Sequence, residues 1–496
     1  MTKNSVNQRF VICALVGAIG IAFYVKPLLT RFAVLDDYKK LIEVRSGIQL
    51  FGIDQGMAET LWQTGRPLPA ILSGVVWFVV TDISRLSILR VLGFFALMVS
   101  LLLLIRFATR LSAPRIADVR GLIASVAAIG SLLFLPSIGA TVTFATLAIP
   151  LFAIPTALLA GSLISVPSPS VPRILGVVAL VLISVFTYQQ MAVLSTLPVF
   201  LWSATLFVPE KPRVLPIKQI GVVLASLATG LLGNLLFVGL VSRESLERAT
   251  TVSLSQKFTN LATSYIPKSL HLFLDKEIYL FATSLAIFSI ISLMSIALWR
   301  PAWALLTAVL ASYSISVILF VGTDGDASYR LVLPGQLILW GGLAVTFLIA
   351  MSHCSSPKNW LWIFLVTLPT ALFVTTLTQA REITYDRISA ANASDFANLE
   401  CLVDKNFSSL MDHEEVVLRL SPFELSGNRG VHSEVGLLAS HVEWVAIDMW
   451  RVLVSSDPRF VSLQDKSVRV SEEQIVSSDS RTRTVMDLSV NCVGTQ

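Results

Sequence analysis

Eleven apolar runs, each long enough to cross a bilayer, recur along this 496-residue chain and leave it few architectures. They lie near 10–29, 86–105, 119–136, 141–162, 173–188, 190–208, 219–241, 278–299, 301–321, 330–351 and 360–379. Hydrocarbon about 30 Å thick takes roughly 20 apolar residues in a helix, which satisfies every backbone N–H and C=O within the segment. Charge agrees: 14% of residues are Asp, Glu, Lys or Arg, against about 25% in a soluble domain. The first run has the apolar middle of a secretory signal, but Tyr24-Val25-Lys26-Pro27 and Thr30-Arg31-Phe32 offer no small-residue cleavage site. It is expected to stay as a span.

Loop charge sets the sidedness. Arg106, Arg110, Arg115 and Arg120 form a basic loop opposed only by Asp118, which places it on the inner side with Lys3 and Arg9. Only one crossing out and one back then fit between them. The apolar stretch 68–80 is therefore not a span, and its thirteen residues predict a helix lying on the outer surface. Alternation puts Arg173, Lys211, Arg213, Lys218, Arg300 and Lys358 inside, and the acids Asp36, Asp37, Glu43, Asp54, Glu59 and Asp82 outside. A net charge of +5 is explained by this orientation and calls for no nucleic-acid partner.

After about Gln379 the composition turns polar, and residues 380–496 predict a small α/β domain on the outer face. Strands are expected at Val416–Leu420, Phe460–Leu463 and Thr484–Ser489, and helices near 389–412 and 433–455. Cys401 and Cys492 both fall in this domain. They would pair as a disulfide in an oxidising compartment, or else stay as two buried thiols.

Chemistry-bearing residues gather at the outer boundary, chiefly in the first outer loop, 30–85. Asp36 and Asp37 follow the first span, and a carboxylate can take a proton from an attacking hydroxyl. Neighbours on a helix point about 100° apart, so one base with one supporting carboxylate is easier to build than two carboxyls flanking one sugar carbon. A single displacement with inversion follows from that. The bland alternative is a solvated, helix-capping acidic pair. Arg66 sits in Trp62-Gln63-Thr64-Gly65-Arg66-Pro67-Leu68, between a turn-forming Gly and a helix-starting Pro. There a guanidinium fork and a helix N-terminus could share one phosphate, unless the arginine merely snorkels to headgroups. Arg90, near the outer end of the second span, and Arg330, which opens a late one, are further phosphate candidates. Tyr38, Tyr188, Gln189 and Lys268 are candidate sugar or acceptor contacts. Paired histidines at zinc spacing, a Gly-rich phosphate loop and a Gly-x-Ser-x-Gly elbow are all missing from the sequence. No cofactor is required, and a divalent cation is left open.

Asp36-Asp37-Tyr38 after the first span, Trp62 through Leu68 leading to a surface helix, Tyr188-Gln189 at an outer turn and Arg330 opening a late span together form a pattern. By it the chain resembles the GT-C superfamily of multi-spanning glycosyltransferases, most of all the GtrII-type glucosyltransferases that modify O-antigen in serotype conversion. The resemblance extends loosely over 1–400, and the domain at 380–496 adds little to it. It implies a GT-C-like transmembrane domain over 1–379 in the bacterial inner membrane, N-terminus cytoplasmic and C-terminal domain periplasmic. It further implies an inverting transferase that moves a sugar, commonly glucose, from a polyprenyl-phosphate donor to a lipid-linked surface polysaccharide. Asp36 or Asp37 matches the catalytic acid of the first outer loop, with position favouring Asp36. A flippase and a donor-synthesising enzyme would be its partner proteins.

Two other classes compete. A polysaccharide polymerase or lipid-linked glycan flippase is also polytopic, but a flippase needs a polar path through the bilayer, and the spans offer little beyond Asn234. A non-catalytic anchoring protein would place its work in 380–496.

Overall fold

The computed structural model describes residues 3–45, 61–77, 79–80, 82–111, 119–206, 216–241, 253–270, 303–321, 329–353, 359–420, 438–471, 483–490 and 492. It is a polytopic α-helical membrane protein with a small sheet near its C-terminus. Five described helices are long and apolar enough to cross a membrane: Phe10–Leu29, Ile83–Leu111, Ile217–Val241, Trp303–Val321 and Leu331–Ile349. Shorter apolar helices Pro150–Ile164, Val171–Thr187 and Met191–Thr205 fill the positions expected between them, and Asn359–Ala380 covers the last run. The run at 278–299 lies outside the described residues.

The runs at 119–136 and 141–162 divide differently from expectation. Arg120–Phe134 and Pro136–Thr143 form a pair bent by 51°. Leu135 has ψ 139°, the extended conformation that a following proline imposes, and Pro136 then opens a new, wholly buried helix. Two 3-10 turns, Ala145–Leu147 and Pro150–Phe152, follow before the chain is helical again from Ala153. Apolar composition alone hides this break, which delivers Thr143 to Thr146 to the functional region.

The stretch expected at 68–80 as a surface helix is helical over Pro67–Trp77. Its 11 residues span about 16 Å at 1.5 Å per residue, half of what a crossing needs.

The polar C-terminal part holds three parallel strands, β1 (Glu415–Arg419), β2 (Ser467–Ser471) and β3 (Arg483–Asp487), in the order β2-β1-β3. Strand β1 is central, with Val416, Val417 and Leu418 all buried, as a parallel strand covered on both faces must be. The helix Glu443–Ser456 makes the crossover to β2 and buries Val445, Met449, Val452 and Leu453 at helical spacing. Phe460–Leu463, expected as a strand, is instead a turn and 3-10 helix, because Asp457 and Phe460 close it by a backbone hydrogen bond of 3.0 Å. Cys401 and Cys492 are joined by a disulfide that closes a separation of 91 residues. Replacing both with alanine is expected to destabilise this part of the chain by about 2–5 kcal/mol, read as a lower unfolding midpoint that reducing agent no longer shifts.

The sheet domain does not hang free. The helix Asn359–Ala380 continues through Arg381–Ala390 into Ala391–Lys405 without leaving helical form. One continuous core joins Tyr38, Leu41, Trp77 and Ile83, from the segment between the first two long apolar helices, to Phe396, Leu399, Leu418 and Trp450. The segment that carries the acidic pair is thus held between the apolar helices and the sheet domain.

Candidate active site

The acidic pair opens the helix Asp36–Arg45, where helix dipoles favour negative charge. A tight turn precedes it: Asp37 N–H donates to the Val34 carbonyl at 2.7 Å, and Leu35 is held at φ 25°. The two side chains then part, as their helical offset requires. Asp37 points inward and is fully buried. Its carboxylate accepts from the backbone N–H groups of Val34 (3.2 Å), Ala145 (3.4 Å) and Thr146 (3.1 Å), and lies 3.9 Å from the Arg90 guanidinium. Burial pushes the Asp37 carboxyl up to about 6, while Arg90 and the three amides pull it back.

Arg90, a candidate for the donor phosphate, is corrected to a structural role. Its side chain is fully buried, and its Nε and Nη1 donate to the Thr143 (3.0 Å) and Thr30 (3.2 Å) carbonyls, with Nη2 donating to Phe32. It also stacks over the Phe32 ring at 3.6 Å. No face of the fork is left for a ligand. Tyr38, a candidate sugar contact, is likewise buried, with its ring stacked on Phe396.

Asp36 is only half-buried and lines a shallow cleft. Arg66 lines the same cleft, together with Lys40, Trp77, Thr146 and Pro150. Lys40 stands four residues after Asp36, on the same helical face, and is buried. That i, i+4 spacing was the signal available for it in the sequence. Thr146 offered none, since only the break at Pro136 brings it here. The cleft thus sets one carboxylate against two cations, walled by an indole and a proline.

Arg66 follows Gly65, which has φ 74°. A Cβ at Gly65 would fall within 3.0 Å of Asn234 and Val238 of the helix Ile217–Val241. Its carbonyl accepts from the amides of both Gln189 (3.1 Å) and Asn234. The Arg66 guanidinium lies over the Tyr188 ring, 4.4 Å from its centroid. Its Nε is buried and has no hydrogen-bond partner among the described residues. Tyr188 and Gln189, candidates for sugar contact, thus face Arg66 and its turn. Gly65→Ala is expected to strain the turn by about 1 kcal/mol or more and to push Asn234 aside, read as a lower unfolding midpoint.

Lys268 does not line the cleft, and its carbonyl accepts from the Gln336 amide at 2.6 Å. Arg330 lies in the first turn of Tyr329–Gln336, and its side chain is outside the described residues. Among the described residues no group of three His, Cys, Asp or Glu side chains is gathered that could hold a metal ion.

No family model matches the chain, and no curated protein matches it. A crystal structure of ArnT from Cupriavidus metallidurans bound to undecaprenyl phosphate is similar in course, with 11% identity and a TM-score of 0.42, covering 92% of this chain and 89% of that one.

Proposed function

We propose that this chain is a GT-C-type membrane glycosyltransferase that transfers a sugar, glucose in the first instance, from a polyprenyl-phosphate donor to a lipid-linked O-antigen on the periplasmic face. The observation that carries this reading is the shared cleft of Asp36 and Arg66. The Asp36 carboxylate takes the proton of an acceptor hydroxyl as that oxygen attacks the anomeric carbon from the face opposite the phosphate. The bond from the anomeric carbon to the phosphate oxygen breaks, and its electron pair leaves with the polyprenyl phosphate. Arg66, with an Nε that lacks a partner among the described residues, holds the charge that develops there, and Lys40 adds a second cation. One displacement inverts the anomeric centre.

Three amides within the described spans are taken up in packing, which favours an enzyme over a flippase. Asn234 is taken up by Gly65, Gln336 by Ser137 and Lys268, and Gln219 by the carbonyls of Val166 and Pro167. The experiment is mass analysis of surface polysaccharide from cells with and without the protein. One added hexose per repeat, present only with the protein, is the expected result, and identical glycans would refute the assignment.

A further inference from the structure

We infer that Gln189 and Asn234 are positioning residues that together fix where the Arg66 guanidinium stands in the cleft. This rests on the reading of Arg66 as the phosphate ligand.

The turn before Arg66 is closed along the chain by two backbone bonds, Gly65 N–H to the Trp62 carbonyl (3.1 Å) and Arg66 N–H to the Leu61 carbonyl (2.8 Å). Those bonds shape the turn but do not place it against the membrane helices. Two side-chain amides do that. Gln189 Nε2 lies 3.1 Å from the Thr64 carbonyl, 3.1 Å from the Gly65 carbonyl and 2.9 Å from Asn234 Oδ1. Asn234 Nδ2 donates to the same Gly65 carbonyl. The Thr64 and Gly65 carbonyls are therefore held from two places, the turn that follows the helix Val171–Thr187 and the helix Ile217–Val241.

Three details make this a device for the arginine and not general packing. Gly65 is the residue directly before Arg66, so fixing its carbonyl fixes the peptide plane from which Arg66 departs. Asn234 is 6% exposed and is the one polar residue between Gly230 and Val241 of its helix, where an amide is costly unless it is used. Tyr188 is adjacent to Gln189 and extends from the helix end at φ −161°, ψ 104°, so its ring passes under the guanidinium while the next side chain reaches the turn. One dipeptide thus supports both the backbone and the head group of Arg66. A fork held from both ends loses little freedom when it meets a phosphate, which is how preorganisation strengthens binding.

The test uses purified full-length protein in lipid nanodiscs and undecaprenyl monophosphate as the probe, with unfolding midpoints checked for each variant. Arg66→Ala is expected to weaken binding by about tenfold or more, the size of one lost charge-assisted hydrogen bond. Gln189→Ala and Asn234→Ala are each expected to cost roughly tenfold as well. Added to Arg66→Ala, neither should weaken binding further, because the side chain they position is already gone. Gln189→Glu keeps the length but cannot donate to two carbonyls, so it should bind no better than Gln189→Ala. Gln189→Met preserves the volume and takes the place of the alanine variant if that one loses its fold. Wild-type binding by the folded Gln189 variants, or losses that multiply with Arg66→Ala, would overturn the inference alone. Wild-type binding by Arg66→Ala would overturn the phosphate assignment and the inference together.

Discussion

Asp36→Asn abolishes measurable sugar transfer while the protein inserts, folds and still binds the donor: that is the largest effect expected of any single substitution. A positioned general base contributes about 10²–10⁴-fold to a proton-transfer step, and an amide cannot replace it. The fold should tolerate the change. Asp36 is half-buried at the edge of the cleft, and the amide keeps one acceptor oxygen at the helix start. Turnover with a reconstituted polyprenyl-phosphate sugar, set beside the unfolding midpoint, separates the two properties. Transfer near the wild-type rate would remove Asp36 from the mechanism.

The neighbouring aspartate is expected to fail in the opposite way. Asp37→Asn, or Arg90→Ala, removes one partner of a fully buried ion pair and leaves the other charge uncompensated. Such a loss costs about 3–5 kcal/mol. Asparagine makes matters worse locally, because its NH₂ group would face one of the N–H groups that now donate to the carboxylate. Arg90→Ala also orphans the carbonyls of Thr30, Phe32 and Thr143. The expected result is low yield and a depressed unfolding midpoint, with activity per folded molecule reduced far less than in Asp36→Asn. A stable, inactive Asp37→Asn protein would reverse the roles given to the two residues.

These contrasting roles show what a single sequence makes legible. The helical runs were readable because hydrocarbon imposes length and apolarity together, and the short helix at Pro67 was readable because loop charge forbade another crossing. That Asp36 and Arg66 line one cleft agrees with their expected placement on one face. The division of labour between Asp36 and Asp37 could not be expected, because it depends on the amides of Ala145 and Thr146, and these arrive by way of a break that apolar composition conceals. Arg90 illustrates the same limit: a charge near a membrane edge reads equally well as ligand or anchor until its carbonyl partners are seen. Gln189 at an outer turn suggested a sugar contact, and only the Gly65 turn folded against it reveals what its amide holds. Asn234 was visible as an isolated amide in a span, with nothing nearby in sequence to say why. Phe460–Leu463 shows how a short apolar stretch in a polar domain can pass for a strand when a turn closed by Asp457 claims it.

The most direct test of the account is an experimental structure of the full chain in lipid with a polyprenyl-phosphate sugar bound. The account predicts the phosphate against the Arg66 guanidinium, with the anomeric carbon turned so that an acceptor hydroxyl can sit between it and Asp36. A donor phosphate bound away from Arg66, or a sugar whose anomeric carbon faces away from Asp36, would contradict it.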